Sequence, residues 1–294
     1  FQVGTRIHRA VNRVSLRLDP GDCLGLIGES GSGKSVTAMS VMGLVASPPG
    51  VITGGAVRLD GEDVLAADDA TLRSLRGRRV AYVFQDPLST LHPLYRVGDQ
   101  LVEAIRAHEP ASRAEAWQRA VELLDAVRIP NASQRARAFP HELSGGMRQR
   151  VGIAMALANN PDIIVADEPT TALDVTIQAQ ILALFQELRQ SRGLALLFIS
   201  HDFGVVSQLC DRIAVLYAGQ IVEEGPTATL LAEPAHPYTR QLIACVPELG
   251  AGRRRLAAIP GLPPAIDQLP FGCAFAPRCT RASAACSAGP IHLE

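Results

Sequence analysis

The segment from residue 28 to residue 35 constrains the fold more than any other part of the chain. It reads Gly28, Glu29, Ser30, Gly31, Ser32, Gly33, Lys34 and Ser35, which fits the pattern G-x-x-x-x-G-K-[ST]. The apolar run Cys23–Ile27 before it is typical of a buried strand, and Val36–Val45 after it can continue as a helix. A strand, a glycine-rich turn and a helix in this order predict a phosphate-binding loop.

The chemistry of this loop follows from its residue types. Glycines let successive backbone N–H groups and a helix N-terminus converge on an anion. We expect Lys34 to reach the β- and γ-phosphates and the Ser35 hydroxyl to bind Mg²⁺. The alternative is a glycine-rich turn that binds nothing, which the flanking strand and helix disfavour. The sequence therefore predicts binding of a nucleoside triphosphate.

Length and composition narrow the class of protein further. The 294 residues suffice for about two domains, and a net charge of −1 argues against nucleic acid as a partner. No apolar run approaches the length of about 18 residues that a membrane span needs, and no secretory signal is visible. Six cysteines beside a nucleotide site predict a reducing cytosol rather than a disulfide framework. High aliphatic content with few aromatic residues suits a parallel α/β sheet.

The pattern of apolar residues predicts alternating strands and helices. A helix is expected over Thr176–Arg192, with Gly193 placed to end it, and a long helical insertion over residues 97–160, broken near Pro130 and Pro140. Proline recurs after Gly225 and periodicity fades, which predicts a separate small module at the C-terminus. Further strands are expected at Ala81–Phe84, Asp162–Ala166, Ala195–Ile199 and Arg212–Leu216.

Two further motifs bear on the same chemistry. The apolar strand Ile163–Ala166 is followed by Asp167 and Glu168 at the end of a strand, where open α/β sheets present ligands. One carboxylate there can hold Mg²⁺, and the next can orient or deprotonate the attacking water. The alternative is a pair of surface acids. In Leu143–Arg150, Ser144 can cap a helix, and Gly145 and Gly146 allow a second anion to approach the backbone.

These motifs together resemble the nucleotide-binding subunit of an ATP-binding cassette (ABC) transporter. In this family's order, Gln85 resembles the Q-loop glutamine, Thr171–Asp174 the D-loop and His201 the switch histidine. The resemblance covers essentially the whole chain. It implies an α/β fold, namely a P-loop NTPase (RecA-like) ABC nucleotide-binding domain with an inserted helical subdomain and a small C-terminal Cys/Pro-rich extension. The expected boundaries are 1–232 for the domain, about 88–160 for the helical subdomain and 233–294 for the extension.

The resemblance also implies a head-to-tail dimer that hydrolyses ATP. ATP would lie between the phosphate loop of one subunit and Ser144, Gly145 and Gly146 of its partner. By analogy Glu168 activates water, His201 contacts the γ-phosphate, and Gln85 senses the Mg²⁺ and the water. Asp174 supports communication across the dimer, and the metal is expected on Ser35, Gln85 and Asp167.

The residue that stacks on adenine is less well defined. Family members use an aromatic residue upstream of the phosphate loop, and Phe1 is the only Phe, Tyr or Trp before it. The alternative is a terminal Phe that is frayed or buried at a sheet edge.

The C-terminal region narrows the subfamily. His236–Leu242, Ile259–Pro264 and Gly272–Cys279 resemble the C-terminal extension of di- and oligopeptide importer ATPases. This resemblance implies a subunit at the cytoplasmic face of the inner membrane. Its partners would be a second ABC ATPase, identical or not, two transmembrane permeases and an extracytoplasmic peptide-binding protein. Nickel and glutathione importers share the extension, so the cargo stays open.

Three cysteines of the extension form a candidate metal site. Cys273, Cys279 and Cys286 are spaced C-x₅-C-x₆-C in a proline-rich segment with little core. The resemblance favours a [4Fe–4S] cluster, while zinc and unligated thiols remain alternatives. A cluster normally needs four ligands, and the family pattern places a fourth cysteine beyond Glu294; His292 or a more distant cysteine are the alternatives. The other cysteines, Cys23, Cys210 and Cys245, are expected to be packing residues.

Two other functions compete with the importer. A soluble ABC ATPase of DNA repair would need a long heptad insertion, and a translation factor would usually hold two cassettes, and neither is found in the sequence. Neutral net charge also argues against nucleic-acid partners. The second rival is a regulatory module in which the cysteines sense redox state. The C-terminal motifs favour the importer over both.

Overall fold

The computed structural model describes residues 1–3, 6–86, 90–246 and 258–289. The chain divides into two compact units. The first unit comprises Phe1–Arg17, Cys23–Leu65 and Phe198–Glu294, and the second comprises Leu18–Asp22 and Ala66–Leu197. No helix in the described part of the chain is both long and apolar enough to cross a bilayer.

The elements alternate along the chain, as the apolar pattern predicts. The strands are β1 Gln2–Val3, β2 Arg6–Ile7, β3 Cys23–Ile27, β4 Arg58–Leu59, β5 Glu62–Asp63, β6 Val80–Val83, β7 Ile163–Asp167, β8 Ala195–Ser200, β9 Arg212–Tyr217 and β10 Gln220–Pro226. The helices are α1 Lys34–Val41, α2 Asp69–Leu75, α3 Val97–Arg106, α4 Arg113–Ala126, α5 Ala132–Arg135, α6 Gly145–Ala156, α7 Val175–Arg192, α8 Phe203–Leu209, α9 Thr227–Ala232 and α10 Pro237–Ala244.

The first unit contains the sheet order β10-β9-β3-β8, in which β8 contributes its last residues, Phe198–Ser200. Strand β3 runs parallel to β9, with Leu24 opposite Arg212 and Ile27 opposite Val215. Strand β10 pairs antiparallel with β9 as a hairpin. Every residue of β3 is buried, as expected for a parallel strand covered on both faces. The phosphate loop therefore follows one of the most buried strands of this unit.

The second unit contains the parallel pair β6 and β7, with Val80 opposite Ile163, and the first residues of β8. Helix α7 follows β7, and its side chains Ile181, Leu184, Phe185 and Leu188 are buried, as the periodicity predicts. Helices α3, α4 and α6 pack against one another.

The bounds of several elements differ from the sequence-based expectations, most strands by one residue at an end. Helix α1 ends at Val41 rather than near Val45, because the chain turns and the Leu44 N–H donates to the Met39 carbonyl at 2.8 Å. The helical region is broken near Pro130 and Pro140 as predicted, but it is also broken between α3 and α4. The expected start of the helical subdomain, near residue 88, lies outside the described residues.

Candidate functional site

The phosphate loop occupies residues 28–35 of the first unit, between β3 and α1. Gly28 runs so close to the neighbouring strand that a Cβ there would lie 2.2 Å from the Leu216 carbonyl oxygen, so only glycine fits. Lys34 is 5% exposed, and its ammonium donates to the carbonyl oxygens of Gly28 at 2.7 Å and Glu29 at 3.1 Å. The ammonium is therefore held over the loop, where the motif predicts a phosphate.

Three other predicted residues of the first unit are at least partly exposed. Ser35 is half-buried in the first turn of α1, and His201 is exposed directly after β8. Phe1 is half-buried, and its ammonium donates to the His8 carbonyl at 2.7 Å while the His8 N–H donates back at 2.8 Å. This pairing continues the β1–β2 hairpin beside Gly50. The role of Phe1 in stacking on adenine stays a prediction.

The acidic end of β7 is organised within the second unit. Asp167 is 5% exposed, and its Oδ2 accepts a hydrogen bond from the Tyr82 hydroxyl at 2.8 Å. Burial raises the pKa of the Tyr82 hydroxyl, and the charge of Asp167 raises it further. Tyr82 therefore remains a neutral donor that orients the carboxylate. Sequence reasoning missed Tyr82, which lies on the strand beside β7.

Glu168 is held by two side chains. Its Oε2 accepts hydrogen bonds from Gln85 Nε2 at 3.1 Å and from Thr171 Oγ1 at 2.9 Å. Its backbone has φ of 46°, a left-handed conformation that a glutamate rarely adopts. The structure thus brings together two predicted residues, Gln85 and Glu168, and adds Thr171, which was expected only as part of the D-loop.

The predicted second anion site also lies in the second unit. Ser144 caps α6, and its hydroxyl accepts from the Met147 N–H at 3.3 Å. Gly145 begins the helix with open space around it, whereas Gly146 packs against Ile177 of α7. Asp174 caps α7 and accepts from the Ile177 N–H at 2.9 Å. Ser144 therefore caps its helix as the sequence predicts, whereas the cap that Asp174 forms was not predicted.

The three cysteines of the extension do not form a ligand set in the described residues. The Cys273 N–H donates to the Cys286 carbonyl at 2.8 Å, so the two backbones are close. Cys279 Sγ accepts from the Arg281 N–H at 3.3 Å, and Cys286 Sγ lies 3.7 Å from Ser283 Oγ. No three His, Cys, Asp or Glu side chains are arranged to hold a metal within the described ranges. The thiols as placed do not fit a [4Fe–4S] cluster, and His292 lies outside the described residues.

The other cysteines pack in the interior or at its edge. Cys23 and Cys210 are buried with their sulfur atoms 3.2 Å apart, and Cys245 is half-buried.

Comparison with known families decides the identity of the fold. The family described as ABC transporter matches residues 11–171, more than half of the chain. The chain belongs to the ABC transporter family. A second family, described as oligopeptide/dipeptide transporter, C-terminal region, matches residues 222–286 of this cassette. The predicted family is thus confirmed from both parts of the sequence.

Curated relatives of this ABC protein are similar over almost its full length. The Brucella melitensis protein BMEII0863, whose name describes a peptide import ATP-binding protein, is 50% identical over 98% of the chain and 88% of that protein. DdpD of Escherichia coli, whose name describes a D,D-dipeptide transport ATP-binding protein, is 50% identical over 96% of the chain and 86% of that protein.

Solved structures of ABC cassettes share the fold. The cassette MJ0796, in a dimeric post-hydrolysis state with ADP and Pi, is 32% identical with a TM-score of 0.69, over 77% of this chain and 94% of that one. The cbiO1 protein of Clostridium perfringens, at 23% identity and a TM-score of 0.65 over 76% of this chain and 84% of that one, agrees in fold alone. The α/β cassette fold predicted from the sequence is confirmed.

Proposed function

We propose that this ABC cassette hydrolyses ATP to power the uptake of di- or oligopeptides through membrane permeases. The observation that carries the proposal is the match of residues 222–286 to the oligopeptide/dipeptide transporter C-terminal region. Relatives at 50% identity that are named for peptide or dipeptide import support it. Nickel or glutathione as cargo, and a soluble ATPase of repair or translation, are the alternatives that the experiment below separates.

The chemistry is transfer of the γ-phosphoryl group to water, which depends on positioning and charge stabilisation. The phosphate loop binds the phosphates with its N–H groups and Lys34. Glu168 accepts the proton of the attacking water, in the orientation that Gln85 and Thr171 hold. His201 contacts the γ-phosphate, and these roles rest on the family resemblance together with the contacts within each unit.

The oxygen ligands in the chain suit Mg²⁺. Asp167 offers a carboxylate that the Tyr82 hydroxyl orients through a hydrogen bond. Ser35 offers a hydroxyl oxygen and Gln85 an amide oxygen, and Mg²⁺ prefers oxygen ligands. When bound, Mg²⁺ neutralises charge that develops on the β- and γ-phosphate oxygens. The [4Fe–4S] cluster rests on the family resemblance and on cysteine spacing, and no step of the reaction uses it. Iron and acid-labile sulfide analysis of anaerobically purified protein tests it directly.

The second anion-directed helix start implies a partner subunit. We assign Ser144, Gly145 and Gly146 to the γ-phosphate of ATP bound by the phosphate loop of a second ABC ATPase, and Asp174 to the contact between the subunits. This chain then lies at the cytoplasmic face of the inner membrane, with two permeases and an extracytoplasmic peptide-binding protein. The start of α6, where Gly145 and Gly146 follow the cap, can present backbone N–H groups to an anion.

Affinity purification of the tagged chain from detergent-solubilised native membranes tests the proposal. We expect mass spectrometry to find two permeases, a second ATPase and a peptide-binding protein. Lys34→Ala is the matched control, because it should recover the same partners while the purified complex no longer hydrolyses ATP. Recovery with ribosomes or DNA-associated proteins, or alone from the soluble fraction, would rule out the importer.

A further inference from the structure

A buried arginine of the C-terminal extension contacts the phosphate loop directly. Arg278 is 7% exposed and forms a two-pronged ion pair with the Glu29 carboxylate. Its Nη1 donates to Oε2 at 2.6 Å, and its Nη2 donates to Oε1 at 2.9 Å. Parallel bonds of this kind are among the strongest that side chains form, and they also fix orientation. Glu29 is the second residue of the phosphate loop, and 248 residues separate the partners along the chain.

The surroundings hold Arg278 in this one geometry. Its Nε donates to the Pro260 carbonyl at 2.9 Å, Nη2 also donates to the Gly261 carbonyl at 3.3 Å, and Nη1 lies 3.2 Å from the Tyr217 hydroxyl. Its guanidinium lies 5.8 Å from the ring centre of Tyr217 and 5.9 Å from that of Phe275. The hydrogen bonds to Glu29 raise the pKa of Arg278, so it is charged at every pH of interest.

Glu29 is fixed by its backbone as well. Its N–H donates to the Tyr238 hydroxyl at 2.9 Å, and its carbonyl accepts from the Lys34 ammonium at 3.1 Å. Tyr238 is fully buried and packs edge-on against Tyr217, with ring centres 4.6 Å apart. Both Tyr238 and Arg278 belong to the part of the chain that matches the transporter C-terminal region. The extension therefore fixes both the side chain and the backbone of one loop residue.

The charge of Glu29 gives this contact a consequence for nucleotide binding. A carboxylate within the loop that binds phosphates repels the bound anion unless a cation neutralises it. Arg278 supplies that cation from a mostly buried position, where charges are screened less than in water.

We propose that Arg278 is a positioning residue for nucleotide binding. It neutralises the charge of Glu29 and fixes the Glu29 carboxylate against the C-terminal extension. The C-terminal region thereby completes the phosphate loop, in addition to marking the transporter subfamily. The inference rests on the proposed function, since it assigns a further residue to the same ATP site. Arg278 contacts Glu29, and it acts on the nucleotide only through that residue.

Nucleotide affinity measured on the purified full chain tests the proposal. We expect Arg278→Met to weaken ATP binding about tenfold, which corresponds to about 1.4 kcal/mol. The substitution should weaken ADP binding less than ATP binding, because ADP has one negative charge fewer. Added salt should reduce the difference in ATP affinity between the variant and the wild type, because it screens the charge of Glu29. Arg281→Met is the matched control, because Arg281 is exposed in the same segment and should bind ATP as the wild type does.

The double variant Arg278→Met/Glu29→Gln separates this role from a merely structural one. Removing the carboxylate removes the repulsion, so ATP affinity should return to within about threefold of the wild type. Arg278→Met that is folded by circular dichroism and binds ATP as tightly as Arg281→Met would overturn the proposal. A double variant no better than the single one would overturn it too.

A milder variant keeps the test decisive if Arg278→Met does not fold. Arg278→Lys retains the positive charge but cannot form the two-pronged ion pair with Glu29, so ATP affinity should fall about threefold. Adding Glu29→Gln to this variant should restore the affinity. No loss relative to Arg281→Lys contradicts the proposal. Wild-type chain that binds no ATP at all would instead refute the proposed function, so the two failures are distinguishable.

Discussion

At the scale of single residues, Glu168 combines a strained backbone with a held side chain. A glutamate with a left-handed backbone conformation destabilises the folded state by about 1–3 kcal/mol, and the surrounding structure must offset this cost. Its neighbours Gln85 and Thr171 both donate to the same carboxylate oxygen. Strain of this kind occurs preferentially at functional sites, which supports Glu168 as the residue that activates water.

We expect Glu168→Gln to lower ATP hydrolysis by about 10²- to 10⁴-fold while ATP binding persists, because an amide cannot accept the proton of the attacking water. Phosphate release and nucleotide binding, measured on the same preparation, check both parts. Glu122→Gln is the control, because Glu122 is exposed on α4 and bonds only within that helix to Gln118 among the contacts described. Wild-type turnover in Glu168→Gln would remove Glu168 from this role.

His236 predicts how stability depends on pH. Its Nδ1 accepts from the Tyr238 N–H at 3.1 Å and caps α10, which requires the neutral ring. Burial lowers the pKa of His236 below its usual 6.5, and the nearby Glu223 opposes this only in part. As pH falls through 6.5 the unfolded chain takes up a proton that the folded ring does not accept. Stability is therefore present above this pH and declines below it.

His236→Asn should remove this part of the acid sensitivity, because asparagine also caps a helix and does not titrate. Urea denaturation at about pH 8 and about pH 5 measures it, since those values bracket the usual histidine pKa. We expect the difference in unfolding free energy between the two values to shrink in the variant. The exposed His141 is the control for histidines in general, and His141→Asn should leave that difference unchanged.

At the scale of elements, helix α7 shows how closely local signals predict a boundary. The expected span began at Thr176 and ended at Arg192, and the observed helix begins one residue earlier, at Val175. Asp174 caps its start, and Gly193 ends it with φ of 64°. Cap residues and apolar periodicity act within a few residues of one another, so the sequence alone contains them.

Gly193→Ala should destabilise the protein by about 1 kcal/mol, because alanine is strained at a positive φ. Nothing lies within 4 Å of a Cβ built at Gly193, so the cost is backbone strain rather than a clash. Gly152→Ala is the matched control, since Gly152 lies inside α6 with equal space and a helical φ. It should stabilise by about 0.4–1 kcal/mol. Chemical denaturation measures the change in unfolding free energy for each variant. Changes in the same direction for both variants would contradict the role of the positive φ at Gly193.

The break between α3 and α4 marks the limit of the element-scale prediction. The region was expected to break near Pro130 and Pro140, and the additional break contains Pro110. Ser112 and Glu115 form a capping box at the start of α4. This S-x-x-E pattern is a local signal for the start of α4, as Pro110 is for the break before it.

At the scale of the whole molecule, the two anion-directed helix starts predict a shared site. Lys34→Ala disables the phosphate loop and Ser144→Arg disables the segment offered to the partner, so each pure variant should lack activity. In an equal mixture half of the dimers are mixed, and each mixed dimer regains one of two sites. About a quarter of wild-type activity should return.

Steady-state hydrolysis of the mixture against each variant alone measures this recovery. Ser144→Arg should still bind ATP through its own phosphate loop, which serves as the control for folding. No recovery from variants that still associate would contradict the head-to-tail arrangement. If the purified complex contains a different ATPase as the second subunit, one of the two substitutions is made in this chain and the equivalent of the other is made in that ATPase.

The order of its motifs along the chain determined the family of this protein. The sequence by itself also determined its local parts: the phosphate loop, the acidic end of β7, the capped start of α6 and the end of α7. Each depends on residues close together in the chain, whose hydrogen bonds and periodicity follow from local geometry. Only the tertiary structure decided that Tyr82 orients Asp167, that Gln85 contacts Glu168 and that Arg278 pairs with Glu29. Such partners lie 83 or more residues apart, and their meeting depends on how the chain folds between them.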